Sequence, residues 1–218
     1  MISMQKLAEV YVKTLQRQVT SDQLARAMKN YEKIALEVVN DSELLKLHYD
    51  DYLCRDRNIP MANMAIEASF EAAKRLIMDK PELLDQCSES GYSGWHVAAA
   101  RHPELLLSSL LAMPDKDARS ILTKSARNGN RVIDELALNC TSIDDARLLV
   151  GGFYKIMLEN KQAMHAVMNN MTRLAHDKVR KIYESNAELT LDQFDEMMAA
   201  FRTISDIADR KPLKGVLR

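Results

Sequence analysis

Apolar residues recur along the chain at three- and four-residue steps, the spacing that places them on one face of an α-helix. Residues 20–40 are the clearest case, and Thr20 and Gln23 stand at their start as a capping box, which satisfies the first free amides of a helix. We therefore predict one amphipathic helix there. Its apolar face is formed by Leu24, Met28, Tyr31, Ala35 and Val38.

Two other segments have the same spacing. Residues 59–80 predict a helix with Pro60 in its first turn. Its apolar face is formed by Ile66, Phe70, Ala73 and Ile77. Residues 190–212 begin with a second capping box, Thr190 and Gln193, and predict a helix that Pro212 ends.

A longer helical segment follows the pair Gly151 and Gly152. Residues 153–188 contain neither glycine nor proline, which is long for a helix of a globular protein. The segment either breaks near Asn160 or forms one helix across the molecule.

Strand patterning is absent from the sequence. Only six glycines and five prolines occur in 218 residues, and no segment alternates apolar and polar residues as a half-buried strand does. We therefore predict an all-α fold without a β-sheet.

The stretch GYSGWHVAAARHPELLLSSLL, which begins at Gly91, differs from the rest of the chain. It resembles the ankyrin signature, in which a glycine precedes a threonine-proline-leucine-histidine turn and an alanine pair. The residues at matching offsets are Gly91, Ser93, His96, Ala98 and Ala99. Gly94 and Trp95 stand where proline and leucine are usual, and the leucine-rich end resembles the second helix of a repeat.

The resemblance implies a local structure for this stretch. Gly91 would take a positive φ in the turn, and Ser93 would cap the helix that follows. His96 would be a turn-stabilising residue whose ring nitrogens bond neighbouring backbone. Trp95 would be buried, and the small side chains of the alanine pair would let two helices approach closely.

A second unit resembles the first more weakly. Gly129 takes the place of Gly91, Ile133 that of Trp95, and Asp134 that of His96. The spacing between the two glycines is a little over the usual ankyrin period of about 33 residues. Residues 112–128, which look helical, supply the extra length. The segment SIDDARLLV is the candidate second helix, and NIPMANMAIE upstream is a third, weaker match.

We therefore expect a helical bundle or solenoid in three segments that form one compact unit. Residues 1–57 are an N-terminal helical segment, 58–152 are ankyrin-like helical hairpins, and 153–218 are a long C-terminal helix with a capping helix. Helical hairpins unrelated to ankyrin are the alternative for the central segment.

Charge and composition exclude several classes of protein. The net charge is −1 and 47% of the residues are hydrophobic, so the chain can bury a core and has no global field that attracts nucleic acid or membrane. The three cysteines, Cys54, Cys87 and Cys140, have no paired spacing, which favours a reducing compartment. No run has the length of a membrane span or the apolar core of a signal peptide. We expect a cytoplasmic protein, or one secreted into a host cytosol without a cleaved signal.

Residues with catalytic potential are few. The sequence contains no HExxH, GxSxG or glycine-rich phosphate loop, so no catalytic residue, cofactor or metal is expected. The densest polar cluster consists of His48, Asp50, Asp51, Cys54 and Asp56. On a helix, His48 and Asp51 would share a face. A solvated helix face is the simpler interpretation, and a small all-α enzyme with a site at His48 and Asp51 is the alternative.

Two histidines on the long C-terminal segment are also too far apart for a shared metal. His165 and His176 would lie roughly 16 Å apart on an unbroken helix.

The preferred hypothesis is a non-enzymatic protein-interaction module that binds another protein. Turns before the first helix of each repeat would project side chains that their own repeat cannot bury. The predicted interface residues are Glu89, Tyr92, Arg127, Asn130 and Arg131. An alternative surface on the C-terminal helix consists of Arg173, Lys178, Arg180 and Lys181.

Short, divergent ankyrin-like proteins of this kind look similar to bacterial effectors, phage factors and immunity factors that bind one target. A third hypothesis is a helical protein associated with nucleic acid through its basic tail. The basic residues of the tail are Arg210, Lys211, Lys214 and Arg218. Nearby acids and a single neighbouring aromatic residue, Tyr183, argue against a nucleic-acid groove at the basic stretch 173–181.

Overall fold

The computed structural model describes residues 21–51, 56–184 and Thr190. This part of the chain is mostly helical, so the prediction of an all-α fold is confirmed. The chain forms two compact units, Met1–Gly94 and Trp95–Arg218. Their boundary lies inside the segment 58–152 that the sequence predicted as one set of helical hairpins.

The first unit contains two pairs of helices with a β-hairpin between them. Its elements are α1 (Ser21–Asn30), α2 (Glu32–Asn40), a 3₁₀ turn (Leu44–Lys46), β1 (His48–Asp51), β2 (Asp56–Pro60), α3 (Met61–Ala68), α4 (Phe70–Asp79) and a second 3₁₀ turn (Pro81–Asp85). Helix α3 lies in the middle, in contact with α1, α2, α4 and β2. Every residue from Met61 to Ile66 is buried because neighbours cover α3 on several sides.

Both long helices predicted for this unit are broken in the structure. Tyr31 is extended, with φ −144° and ψ 100°, so the single helix predicted over residues 20–40 is wrong. Ser69, with φ −151° and ψ 129°, separates α3 from α4. Its Oγ accepts a hydrogen bond from the Ala72 amide at 3.1 Å and donates one to Glu32 at 2.9 Å, so the break caps α4 and ties it to α2. Phe70 is therefore 53% exposed, and its predicted place on the apolar face is wrong.

The hairpin corrects the prediction that the chain has no β-sheet. Strands β1 and β2 pair antiparallel, His48 opposite Pro60. Asn58 has a positive φ of 54°, which asparagine tolerates better than most residues, and its amide donates to Asp50 Oδ1 at 2.8 Å. The strands are short and mostly polar, so they lack the alternation by which a sequence indicates a strand. Pro60 ends β2 and precedes α3, where the sequence had placed it inside the first helical turn.

The second unit is built around one short buried helix. Its elements are α5 (Gly94–Arg101), which begins at the last residue of the first unit, α6 (Pro103–Ala112), α7 (Asp115–Leu122), α8 (Val132–Asn139), α9 (Ile143–Gly152), α10 (Tyr154–Glu159) and α11 (Lys161–Glu184). Helix α8 contacts α6, α7 and α11, and it buries Ile133, Leu136 and Ala137. Helices α7 and α9 confirm the helical predictions for residues 112–128 and for SIDDARLLV.

The long C-terminal segment breaks at Asn160, one of the two arrangements that the sequence allowed. Asn160 has φ −115° and ψ 89°, and its Oδ1 accepts a hydrogen bond from the Ala163 amide at 3.1 Å. Its Nδ2 donates to Oδ1 of Asp134 at 2.9 Å, and both side chains are buried. The long C-terminal helix therefore begins at Lys161 and is anchored to α8.

Several sequence predictions lie outside the described residues. These are the capping box at Thr20, the thiol of Cys54, the helix over 190–212 beyond Thr190 itself, and the basic tail.

Helix bounds recur at constant offsets along the chain. Helix α5 begins and ends the same number of residues after α3 begins and ends. Helix α6 follows α4 by that same number of residues. The offset from α5 to α8 is longer, and it too is the same at both ends. Three residues have a positive φ and are separated by the same two spacings: Asn58, Gly91 and Gly129. Each lies three positions before the first residue of a helix.

Candidate protein-interaction surface

The turn before α5 is closed by backbone hydrogen bonds. The Ser88 amide donates to the Tyr92 carbonyl at 2.9 Å, and the Gly91 amide donates to the Ser88 carbonyl at 3.0 Å. Gly91 has φ 82°, a conformation that glycine adopts without the strain of a Cβ, as the sequence predicted. The turn leaves Glu89 exposed and Tyr92 half-buried.

The turn before α8 is closed by the same pattern of hydrogen bonds. The Ala126 amide donates to the Asn130 carbonyl at 2.8 Å, and the Gly129 amide donates to the Ala126 carbonyl at 3.0 Å. Gly129 has φ 84°. Here Arg127 is exposed, while Asn130 and Arg131 are half-buried.

The first turn is also held by the hairpin of its own unit. The Ser90 amide donates to Asp56 Oδ1 at 3.0 Å, and the Ser90 hydroxyl donates to Asp56 Oδ2 at 2.8 Å. The Glu89 amide donates to the Arg57 carbonyl at 2.7 Å. The backbone of Glu89 is therefore fixed while its side chain points to solvent.

Each unit contains a buried polar side chain that bonds a turn. The side chain lies on one helix, and the turn precedes a later helix. In the first unit, Asn63 Nδ2 on α3 donates to the Tyr92 carbonyl at 3.2 Å. In the second, His96 Nε2 on α5 lies 3.3 Å from the Asn130 carbonyl. The prediction that the His96 ring bonds backbone is confirmed, and the backbone group is a carbonyl 34 positions away. Asn63 was not singled out from the sequence, although it occupies in α3 the position that His96 occupies in α5.

The burial and the lowered pKa of His96 also fit a residue that holds the fold. It is 1% exposed, and burial lowers its pKa below the ordinary 6.5. Hydrogen bonds to the backbone at Asn130 and Lys124 oppose this effect only in part. The ring is therefore neutral at pH 7 and donates to the turn.

Asp134 occupies the position of His96 in the next helix and bonds inward. Its Oδ2 accepts from the Arg131 amide at 2.8 Å, and its Oδ1 accepts from Asn160. Its neighbour Glu135 accepts a hydrogen bond from the Asn130 side chain. The side-chain amide and the carbonyl of Asn130 are thus both engaged inside the second unit, whereas Arg127 is exposed and Arg131 is half-buried.

The predicted interface residues divide between the two turns. Glu89 and Tyr92 lie on the turn before α5, in the first unit, and the other three lie on the turn before α8, in the second unit. Each turn is a candidate surface in its own right.

Two arginines of the alternative surface on α11 make local contacts, and those of Arg180 are with carboxylates. Arg173 donates to Asn170 Oδ1 at 2.5 Å, and Arg180 lies 3.5 Å from Asp177 and 3.7 Å from Glu184. Lys181 is exposed, and the side chain of Lys178 lies outside the described residues. His165 and His176 are exposed on the same helix.

The polar cluster around His48 lies in the hairpin, so the prediction that it forms a helix face is wrong. His48 is exposed in β1, and the carboxylates of Asp50 and Asp56 accept hydrogen bonds from Asn58 and Ser90. The side chain of Asp51 lies outside the described residues. In the part of the chain that the structure describes, no three His, Cys, Asp or Glu side chains are grouped to hold a metal ion.

The two described thiols differ in their surroundings. Cys87 is exposed, whereas Cys140 is buried and its Sγ donates to the Leu136 carbonyl at 3.1 Å. Burial raises the pKa of Cys140 to about 12, so its thiol is protonated at neutral pH and is a poor nucleophile.

A shallow cavity of about 420 Å³ lies elsewhere in the second unit, between the start of α7 and the junction of α9 with α10. It is lined by Asp115, Arg119, Gly151, Gly152, Phe153, Tyr154, Lys155 and Ile156. No residue of the predicted interface lines it.

Comparison with known protein families, with curated proteins and with solved structures found no match for this chain. Among the described helices, none is both long enough and apolar enough to cross a membrane.

Proposed function

We propose that this chain is a non-enzymatic protein-interaction module, in which ankyrin-like helical pairs present exposed turns to another protein. The observation that supports the proposal is the turn that is closed by the same hydrogen bonds at 88–92 and at 126–130. Both turns expose a charged side chain at the same position, Glu89 in one and Arg127 in the other. Helical repeat proteins use such recurring surfaces to bind partners.

The backbone of both turns is held in place, and a fixed backbone favours a binding role for the side chains that project from it. Asn63 and His96 anchor the two turns from buried positions, so the projecting side chains start from a fixed backbone. A pre-organised surface loses less conformational entropy when a partner binds. Tyr92 and Arg131 are of the residue types that most often contribute a large share of binding energy.

The proposal is tested by capturing the partner from a host lysate, identifying it by mass spectrometry and measuring its Kd by calorimetry. Tyr92→Ala and Arg131→Ala are made singly, to test each turn, and then together. The double variant is expected to bind about 2 kcal/mol or more weakly, a typical loss at a binding hot spot. The melting temperature is expected to stay close to that of the unmodified chain.

A matched control separates the turns from the rest of the surface. Lys74→Ala with Lys116→Ala removes two exposed side chains from α4 and α7, one in each unit, and should leave the Kd unchanged. Charge reversal at Arg173 and Lys181 tests the alternative surface. If that variant abolishes capture while the turn variants bind normally, the recognition site lies on α11 and the turns are a scaffold.

The enzyme alternative has its own test. His48→Asn with Asp51→Asn should leave folding and partner binding unchanged if the hairpin is a solvated surface. Loss of cellular activity with an intact fold and intact binding would favour the enzyme instead. A role as a bacterial effector, phage factor or immunity factor belongs to the proposal and depends on the identity of the partner.

A further inference from the structure

The turn before α8 is a positively charged surface. It begins with the half-buried Lys124, exposes Arg127 and ends with the half-buried Arg131. No acidic residue occurs from Thr123 to Arg131. Residues 124–131 are called the basic turn below.

The two arginines of the basic turn differ from three other arginines of the second unit. Arg119 lies 2.8 Å from Glu159, Arg147 lies 3.1 Å from Asp144, and Arg180 lies 3.5 Å from Asp177. Within the described part of the chain, neither Arg127 nor Arg131 forms an ion pair. Their charges therefore have no carboxylate partner among the described residues.

The carboxylates that follow the basic turn in the sequence do not fill this role. Asp134 is buried, and its two oxygens accept from the Arg131 amide and from Asn160. Glu135 accepts from the side chains of Asn130 and Asn139. Both acids are engaged with other groups of the fold, and neither forms an ion pair with Arg127 or Arg131.

The backbone of the basic turn is ordered. In addition to the two bonds that close the turn, the Asn130 amide donates to Asn128 Oδ1 at 2.9 Å. A Cβ added at Gly129 would meet no atom within 4 Å, so the tip of the turn is open to a partner. Guanidinium groups on such a frame suit carboxylates, with which arginine forms paired, charge-assisted hydrogen bonds.

We infer that the partner of this module presents a carboxylate-rich protein segment to the basic turn, where Arg127 and Arg131 each bind an aspartate or glutamate side chain. This inference rests on the proposed function and names the chemistry of the partner. The charges steer the partner to the turn and fix the register in which it binds.

A protein partner fits these residues better than a nucleic acid does. Nucleic acid is held by many phosphate contacts and, when single-stranded, by aromatic stacking. The segment from Asp115 to Arg131 contains no aromatic residue on which a base could stack, and the basic turn has three basic residues, which are few for a phosphate backbone. Two arginines can hold two carboxylates without further contacts.

The test uses the full chain and three fluorescent probes at low salt. The probes are a short polyglutamate peptide, a polyglutamine peptide of the same length, and an oligothymidylate of the same charge as polyglutamate, each followed by anisotropy. Polyglutamate is expected to bind, with a Kd that rises with salt. Arg127→Glu with Arg131→Glu is expected to raise that Kd about tenfold or more.

Two further variants keep the test decisive. Lys155→Glu with Lys161→Glu makes the same change of charge at exposed positions of the same unit and should change the Kd by less than about twofold. Arg127→Gln with Arg131→Gln removes the charges without reversing them and serves if the reversed variant fails to fold, as judged by circular dichroism.

The inference is wrong if polyglutamate binds no better than polyglutamine, if the lysine variant loses as much binding as the arginine variant, or if oligothymidylate binds more tightly than polyglutamate. The proposed function fails on a different result, namely when the captured partner binds the variants of both turns normally and loses binding on charge reversal at Arg173 and Lys181. If the Kd of the captured partner changes with Tyr92→Ala but changes neither with salt nor with substitution of Arg127, the proposed function stands and the inference of an acidic partner is wrong.

Discussion

Asn160 joins the break between α10 and α11 to a buried carboxylate, and its replacement by alanine measures what that junction contributes to stability. Its Oδ1 caps α11 through the Ala163 amide, and its Nδ2 donates to Asp134. Asn160 is 6% exposed and Asp134 is 5% exposed, so water does not replace the lost groups without rearrangement.

The expected cost is the sum of two losses. Removing an N-cap side chain typically costs about 1 kcal/mol. Leaving a buried acceptor without its donor costs about 1–3 kcal/mol. Asp134 retains the hydrogen bond from the Arg131 amide at 2.8 Å, which keeps the second loss below the value for an isolated charge. We therefore expect Asn160→Ala to lower the free energy of unfolding by about 3 kcal/mol.

The assay is urea unfolding followed by the emission of Trp95, the only tryptophan, which lies in the second unit with Asn160. Two further variants separate the losses. Asn160→Ser can still cap α11 but is too short to reach Asp134, so it should lose only the donor contribution. Asn160→Asp keeps the cap but opposes two carboxylates, so it should be at least as unstable as the alanine variant.

A stability within about 0.5 kcal/mol of the unmodified chain for Asn160→Ala, the range of ordinary surface substitutions, would refute this account of the junction. Equal losses for the serine and alanine variants would instead show that the cap contributes nothing measurable.

Three other predictions concern buried side chains of the second unit. Trp95 is 2% exposed, so Trp95→Ala should cost about 3–5 kcal/mol, and the native emission should be blue-shifted; emission like that of indole in water would contradict its burial. The pKa of His96 is lowered in the folded chain, so the unfolded chain binds the proton more readily. Its contribution to stability is therefore present above pH 6.5 and is lost as the pH falls below that value towards the folded pKa. The free energy of unfolding, measured at a series of pH values, should fall over this range. His96→Asn, which introduces the side-chain amide that Asn63 has, should make that fall smaller. In a Cys54→Ser background, Cys87 should react with a thiol reagent at pH 8 while Cys140, whose pKa is raised to about 12, should react only on unfolding; equal rates would contradict the burial of Cys140.

Local sequence was sufficient where one residue decides the backbone. Gly91 and Gly129 take positive φ because no Cβ opposes it, and a helix begins three residues after each of them. His96 bonds a turn, as the resemblance implied, but the carbonyl that it reaches belongs to Asn130, 34 positions away, and folding brings the two together. The candidate interface stays a prediction, since it depends on a partner.

Local sequence was insufficient where neighbours compete with helical spacing. The apolar stripe through Tyr31 continues without interruption, yet α1 and α2 are separate because each packs against α3. Ser69 interrupts the second stripe because its hydroxyl bonds both the Ala72 amide and Glu32, a residue 37 positions away. The hairpin over 48–60 has few apolar residues to indicate it, and its strands contact α1 and α3.

The sequence by itself determined that the chain is helical and where its glycine turns lie, because apolar periodicity and backbone freedom are local properties. Only the tertiary structure decided where the helices break and which polar groups are buried, because these depend on partners distant in sequence. Asn63, Asp134 and Asn160 look like ordinary surface residues along the chain, and each becomes an anchor through a hydrogen bond to a residue at least 26 positions away. A buried polar group needs a bonded partner, and folding alone brings that partner to it.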